Sequence, residues 1–157
     1  MGTSPNRLRD LFTVNGIILL LRERLAESDG GAMIVGLGVD ITEIDRIEAA
    51  IERRGRPFLE RLFTPSEIAY CEKHRHRAER FAGRFAAKEA AMKALGTGWS
   101  NGVRWVDIEV VREPSGRPTL KLSGESRAIA DNLGVKHITL TITHTGNTAL
   151  ALVIFES

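Results

Sequence analysis

Cysteine is nearly absent from this chain of 157 residues: Cys71 stands alone. One thiol excludes an intrachain disulfide and a cysteine-built zinc site. Its helical, charged surroundings mark it as a passive thiol, and a cytosolic protein is expected. Aromatic residues are also scarce, at 6%, which leaves little for base stacking. No apolar run reaches the ~20 residues that a bilayer span needs. The longest candidate, Val14 to Leu21, is flanked by Arg7, Arg9, Arg22 and Arg24, and no small-residue cleavage site follows it directly. There is no internal repeat and no low-complexity tract. Serine triad, zinc and dinucleotide patterns are missing too, since Gly36-x-Gly38 lacks the rest of the GxGxxG fingerprint.

What is present is the composition of an ordinary globular domain, with 43% hydrophobic and 27% charged residues and a net charge of +2. That small surplus is unevenly spread. Between Glu72 and Lys93 there are seven Lys or Arg against three Glu, and residues 53–61 hold four Arg against one Glu. Such clustering suits an anionic partner or a solvated helix face. Residues 1–32 differ in style from the rest and are expected to be an N-terminal extension, with a short amphipathic helix over 17–26. The functional domain is expected at 33–157.

Within that domain, Ile34 to Ile41 reads as a buried strand. Thr42 and Asp45 form an expected capping box for a helix that carries Ile44, Ile47 and Ile51 and ends at Gly55. Thr64-Pro65-Ser66-Glu67 is a second capping box. A helix over 81–95 follows and stops at Gly96. Strands are expected over 105–111 and 118–122, around the turn signal Glu113 to Arg117. A helix over 125–133 comes next, then strands over 138–145 and 149–155. This order predicts an α+β fold with a mostly antiparallel sheet against helices.

Chemistry concentrates in FAGRFAAKEAAMKALGTG, residues 81–98. At ~100° per residue, Phe81, Phe85, Met92 and Leu95 share an apolar arc. Glu89 falls ~40° beyond its edge and Lys93 a further ~40° on. They read as an exposed i,i+4 pair or as a carboxylate facing a cleft with an ammonium one turn away. Asp40, at the end of the first strand, is a turn residue, a helix-dipole partner or a second site carboxylate. Two hard oxygen ligands would suffice for Mg²⁺, which keeps waters and takes phosphate oxygens. Lys88 falls inside the apolar arc and either snorkels out or pairs with a carboxylate. Arg84 lies across the arc from Glu89, so only its length would let it reach the same cleft. Gly96-Thr97-Gly98 is a helix C-cap or a weak phosphate loop. His144 is a core residue or, with Thr145 and a glycine turn beside it, a phosphate contact.

Two segments, GLGVDITEIDRI at 36–47 and GRFAAKEAAMKALGTG at 83–98, closely resemble the signature motifs of the holo-acyl carrier protein synthases, the small bacterial 4′-phosphopantetheinyl transferases. ITHTGNTALALV at 142–153 resembles that family's closing hairpin. The resemblance implies an enzyme of fatty acid biosynthesis. It would transfer the phosphopantetheine arm of coenzyme A to a serine of apo-acyl carrier protein, with Mg²⁺, releasing adenosine 3′,5′-bisphosphate. It implies Asp40 and Glu89 as metal ligands, with Lys93 completing the catalytic set. Arg84, Lys93, Gly96, Thr97, Gly98, His144 and Thr145 would lie around the cofactor, and Gly116-Arg117-Pro118 near its adenosine end. The serine proton would go to a metal-bound water or directly to Glu89. Arg46, Arg53 and Arg54 would dock the acidic carrier. The family's trimers, with sites between subunits, are implied as well. The alternative, a nucleic-acid-binding domain using the basic segments, leaves Asp40 and Glu89 unexplained.

Overall fold

An alanine-rich helix through the middle of the molecule organises the rest. The computed structural model describes residues 32–98 and 102–157. The expected extension and its amphipathic helix, apart from residue 32, lie outside the described residues. In chain order the elements are β1 (Ile34–Glu43), α1 (Ile44–Leu62), α2 (Pro65–Glu72), α3 (Arg77–Ala94), a 3₁₀ turn (Trp105–Asp107), β2 (Ile108–Arg112), β3 (Pro118–Leu122), α4 (Gly124–Asn132), β4 (His137–Thr145) and β5 (Thr148–Glu156). β1, β5 and β4 form a three-stranded antiparallel sheet in that order, and β2 and β3 an antiparallel hairpin. The mixed architecture with antiparallel pairing is the one expected.

α3 is buried on almost every side. Ala82, Ala86, Ala87, Ala90, Ala91 and Met92 are wholly buried, so the narrow stripe expected from Phe81, Phe85, Met92 and Leu95 understates its contacts. Small side chains let backbones approach. A Cβ built on Gly38 of β1 would lie 1.9 Å from the Ala90 carbonyl oxygen, and one on Gly36 2.4 Å from that of Ala94. The two glycines are there for close approach of strand to helix. Ala149, Ala151, Val153 and Phe155 of β5 complete the buried face of the sheet. The opposite face leaves Leu37, Val39 and Ile41 exposed at 50, 48 and 64%.

One expectation about α1 is corrected. Thr42 does not cap it: Thr42 lies in β1, the N-cap is Glu43, and the Glu43 side chain makes no cap hydrogen bond. Asn147, in the β4–β5 turn, does the work from across the chain. Its Oδ1 accepts the Asp45 N–H at 3.0 Å and its carbonyl accepts the Ile44 N–H at 2.9 Å. Gly55 does interrupt the helix, at φ +63° and ψ −150°, which is not the left-handed turn expected, and a second helical stretch containing Pro57 continues beyond the kink to Leu62. The Thr64–Glu67 capping box forms as expected. The expected strand from Trp105 begins instead at Ile108, after the 3₁₀ turn.

Candidate active site

β1, the first helix and α3 meet at a cleft of about 760 Å³. Asp40, Thr42 and Glu43 enter from β1, Arg46, Arg53, Arg54, Phe58 and Leu62 from α1, and Phe85 and Glu89 from α3. In α3, Phe85, Glu89 and Lys93 recur every four residues, one turn apart on one face. They are the positions between Gly83 and Leu95 that escape full burial. Glu89 therefore faces the cleft, while Lys93, one turn on along α3, is exposed.

Asp40 is held on both oxygens. Lys93 Nζ donates to Oδ1 at 2.9 Å and to the Val39 carbonyl at 2.9 Å. Thr42 Oγ1 donates to Oδ2 at 2.9 Å. The threonine hydroxyl freed from capping thus orients the site aspartate. Burial pushes the Glu89 carboxyl pKa up, the Asp40 charge adds to this, and Lys93 opposes it. Both carboxylates line the same cleft. Paired hard oxygens with a partner ammonium suit a divalent cation that draws its other ligands from water and phosphate. Among the described residues no group of three or more His, Cys, Asp or Glu forms a self-sufficient metal cage.

The arginine-rich wall has an apolar floor. Arg54 lies 5.7 Å over the Phe58 ring, and Ile47, Leu62 and Phe85 line the same cleft. Arg56, on the same helix, is paired with Glu60 at 2.9 Å and Glu72 at 3.5 Å. It is thus less available to an outside anion than Arg46, Arg53 and Arg54.

Other expected site residues lie elsewhere in the chain. Arg84 is buried, with its guanidinium 4.0 Å over the Tyr70 ring and its Nε without a hydrogen-bond partner. It does not line the Asp40–Glu89 cleft, as its position across the helix implied. His144 Nε2 lies 3.1 Å from Glu79 Oε1, and Thr145 is exposed beside it. Gly96 and Gly98 take φ +74° and +55°, with the Gly96 N–H donating to the Lys93 carbonyl at 3.0 Å. That is a helix C-cap. Arg117 lines a separate cleft of about 530 Å³ with Glu113, Lys136, His137 and Glu156. Cys71 is fully buried and its thiol is pushed up to about 12 by burial, in keeping with a passive thiol.

Lys88 is paired, and away from the cleft. Its Nζ lies 2.8 Å from Glu67 Oε2, with both side chains fully buried, and donates to the Trp105 carbonyl at 2.9 Å and to that of Ile108. Sequence reasoning missed this partner, although the capping box on Thr64 already turned Glu67 inward. It also missed Thr42 as the Asp40 partner and Asn147 as the cap. No local signal reports a contact made 102 positions away.

Known proteins resemble this chain over most of its length. The 4′-phosphopantetheinyl transferase superfamily matches over residues 36–153. The holo-[acyl-carrier-protein] synthase of Solibacter usitatus is 55% identical over 125 residues, covering 80% of this chain and all of the relative. The crystal structure of the holo-[acyl-carrier-protein] synthase from Neisseria meningitidis superposes with a TM-score of 0.72 at 31% identity, covering 80% of this chain and all of that one. That of the Helicobacter pylori holo-[acyl-carrier-protein] synthase in complex with coenzyme A gives 0.67 at 34% identity, over 76% of this chain and 98% of that one. The chain belongs to the 4′-phosphopantetheinyl transferase superfamily and, within it, to the holo-[acyl-carrier-protein] synthases.

Proposed function

We propose that this enzyme moves the 4′-phosphopantetheine arm of coenzyme A to a serine of apo-acyl carrier protein, with Asp40, Glu89 and Lys93 as its catalytic set. The observation that carries the assignment is that Asp40 and Glu89 line one arginine-walled cleft, with Lys93 bound to the Asp40 carboxylate. The serine Oγ bonds to the phosphorus bearing pantetheine, and the bond from that phosphorus to the bridging pyrophosphate oxygen breaks. Adenosine 3′,5′-bisphosphate leaves with the bond's electrons, and the serine proton passes to a base.

Asp40 and Glu89 would hold Mg²⁺, which when bound supplies positive charge to the pyrophosphate oxygens. Lys93, already fixed at the Asp40 carboxylate, is suited to stabilise or protonate the departing phosphate. The serine proton would go to Glu89, because Asp40 is committed to Lys93 and Thr42. Arg46, Arg53 and Arg54 would receive an acidic carrier surface, acting on encounter rate and orientation.

His144 and Thr145, both exposed, belong in this reading to a second half of the coenzyme A site, presented to a neighbouring subunit, with the buried Arg84 behind them. Two observations support a homotrimer with sites between subunits. The outer face of the sheet exposes Leu37, Val39 and Ile41. Arg84 and His144 lie off the Asp40–Glu89 cleft. Gly96 to Gly98 and Arg117 would border the cofactor, and the cytosol would be the compartment. The test is product release: wild-type protein with Mg²⁺, coenzyme A and apo-carrier should liberate adenosine 3′,5′-bisphosphate, separated chromatographically. A carrier whose acceptor serine is replaced by alanine should yield none. Equal release from that carrier would overturn the transfer reaction.

A further inference from the structure

The buried Lys88–Glu67 pair takes no part in the chemistry proposed above, yet it is the most completely satisfied polar node described in the molecule. The Lys88 ammonium has three acceptors, one in Glu67 and two main-chain carbonyls. Glu67 also accepts the Thr64 N–H at 2.9 Å and the Val110 N–H at 2.9 Å. One ion pair therefore ties α3 to the first turn of α2, to the 3₁₀ turn and to β2.

Its neighbours in sequence and space are groups of the cleft. Glu89 is the next residue along α3. Trp105, whose carbonyl takes a Lys88 hydrogen bond, stacks on Phe85 with ring centroids 4.9 Å apart and planes 18° apart. Phe85 lines the cleft beside Glu89. The opposite flank of α3 is alanine against glycine, at Ala90 and Ala94 on Gly38 and Gly36. Such a flank permits close approach but has no side-chain knobs to resist rotation about the helix axis. Burying both charges is costly, and a well-packed apolar pair stabilises a core at least as well. What an ion pair with saturated partners adds is direction.

We infer that the Lys88–Glu67 pair is a positioning device, which fixes the rotation of α3 so that Glu89 and Phe85 face the cleft. This rests on the reading that Asp40 and Glu89 hold a divalent cation. Lys88 and Glu67 act through Glu89, without touching substrate.

The experiment compares wild type with Glu67→Gln and with the double variant Glu67→Gln/Lys88→Met, in which neither charge is left unpaired. Folding is read by circular dichroism, coenzyme A affinity without metal by calorimetry, and Mn²⁺ affinity in the presence of coenzyme A by electron paramagnetic resonance. The folded double variant should bind Mn²⁺ at least about tenfold more weakly than wild type, as loss of a supporting shell does elsewhere. Its kcat should fall in parallel, while its metal-free coenzyme A affinity stays at the wild-type value. Glu67→Gln, which keeps one acceptor oxygen but leaves the Lys88 ammonium without its counter-charge, should show a loss in the same direction, and it carries the test if the double variant does not fold. Wild-type Mn²⁺ affinity and kcat in either folded variant would overturn the inference. Absence of Mn²⁺ binding by wild type would instead overturn the cation site, and this inference with it.

Discussion

Gly38→Ala is a perturbation whose consequence can be worked from distances. The added Cβ lies 1.9 Å from the Ala90 carbonyl oxygen and 2.8 Å from the Ala94 nitrogen, where ordinary contact begins at 3.4 Å. The obstructing atoms are backbone, so no side-chain rotation relieves them. β1 and α3 must separate by about 1.5 Å, an overpacking at or above the upper end of the usual ~1–3 kcal/mol. The melting temperature should drop by roughly 5–10 °C. The separation also opens the site, because Asp40 lies two residues along the same strand face and Glu89 adjoins Ala90. A displacement of ~1 Å between reacting groups is worth about 100-fold in rate, so transfer at a temperature where the variant is folded should fall by that order. Gly36→Ala, with its Cβ 2.4 Å from the Ala94 oxygen but farther from Asp40, should lose stability with a smaller loss of rate. A Gly38→Ala protein with wild-type melting and wild-type transfer would refute the claim that strand–helix approach sets the carboxylate pair.

Glu89→Gln should lower transfer about 1000-fold, the scale of losing a key charge at a reacting phosphate. A carboxyl whose pKa is raised on folding disfavours the folded state when ionised, so Glu89 detracts from stability as pH rises from its unfolded value through its folded one. Glu89→Gln should therefore raise the melting temperature at neutral pH and leave it unchanged below the unfolded value, as followed by calorimetry across pH. Charge reversal at Arg53 and Arg54 should raise KM for the carrier about tenfold, and that for coenzyme A far less, with the difference shrinking at high salt. Cys71 should resist a thiol reagent at pH 8 in the native protein and react on unfolding, since it is buried with its thiol pushed up to about 12. Asn147→Ala should cost about 1 kcal/mol through loss of the cap on α1, read from denaturant unfolding.

Much of this was legible in the sequence because local rules govern it. The Thr64 capping box, the Glu113–Arg117 turn and the helix stop at Gly96 depend on neighbours within a few residues, and all three form. Helical rotation brought Glu89 and Lys93 to one side and Arg84 to the other, which is how they lie. What escaped was set by tertiary contact. Thr42 has capping chemistry, but the strand runs through it to Glu43 and its hydroxyl turns to Asp40. Gly55 breaks the helix as expected, but the helical stretch beyond it, through Pro57 to Leu62, was not expected. The sequence placed Lys88 in the apolar arc without naming its partner, because Glu67 reaches it from another helix.

The most direct measurement is the intact mass of the carrier. Incubated with wild-type enzyme, coenzyme A and Mg²⁺, apo-acyl carrier protein should gain ~340 Da, one phosphopantetheine arm on its serine. The gain should disappear with a chelator, return with added Mg²⁺, and be nearly absent with the Glu89→Gln enzyme. An unchanged carrier mass with active wild-type conditions, or full conversion by Glu89→Gln, would contradict the account.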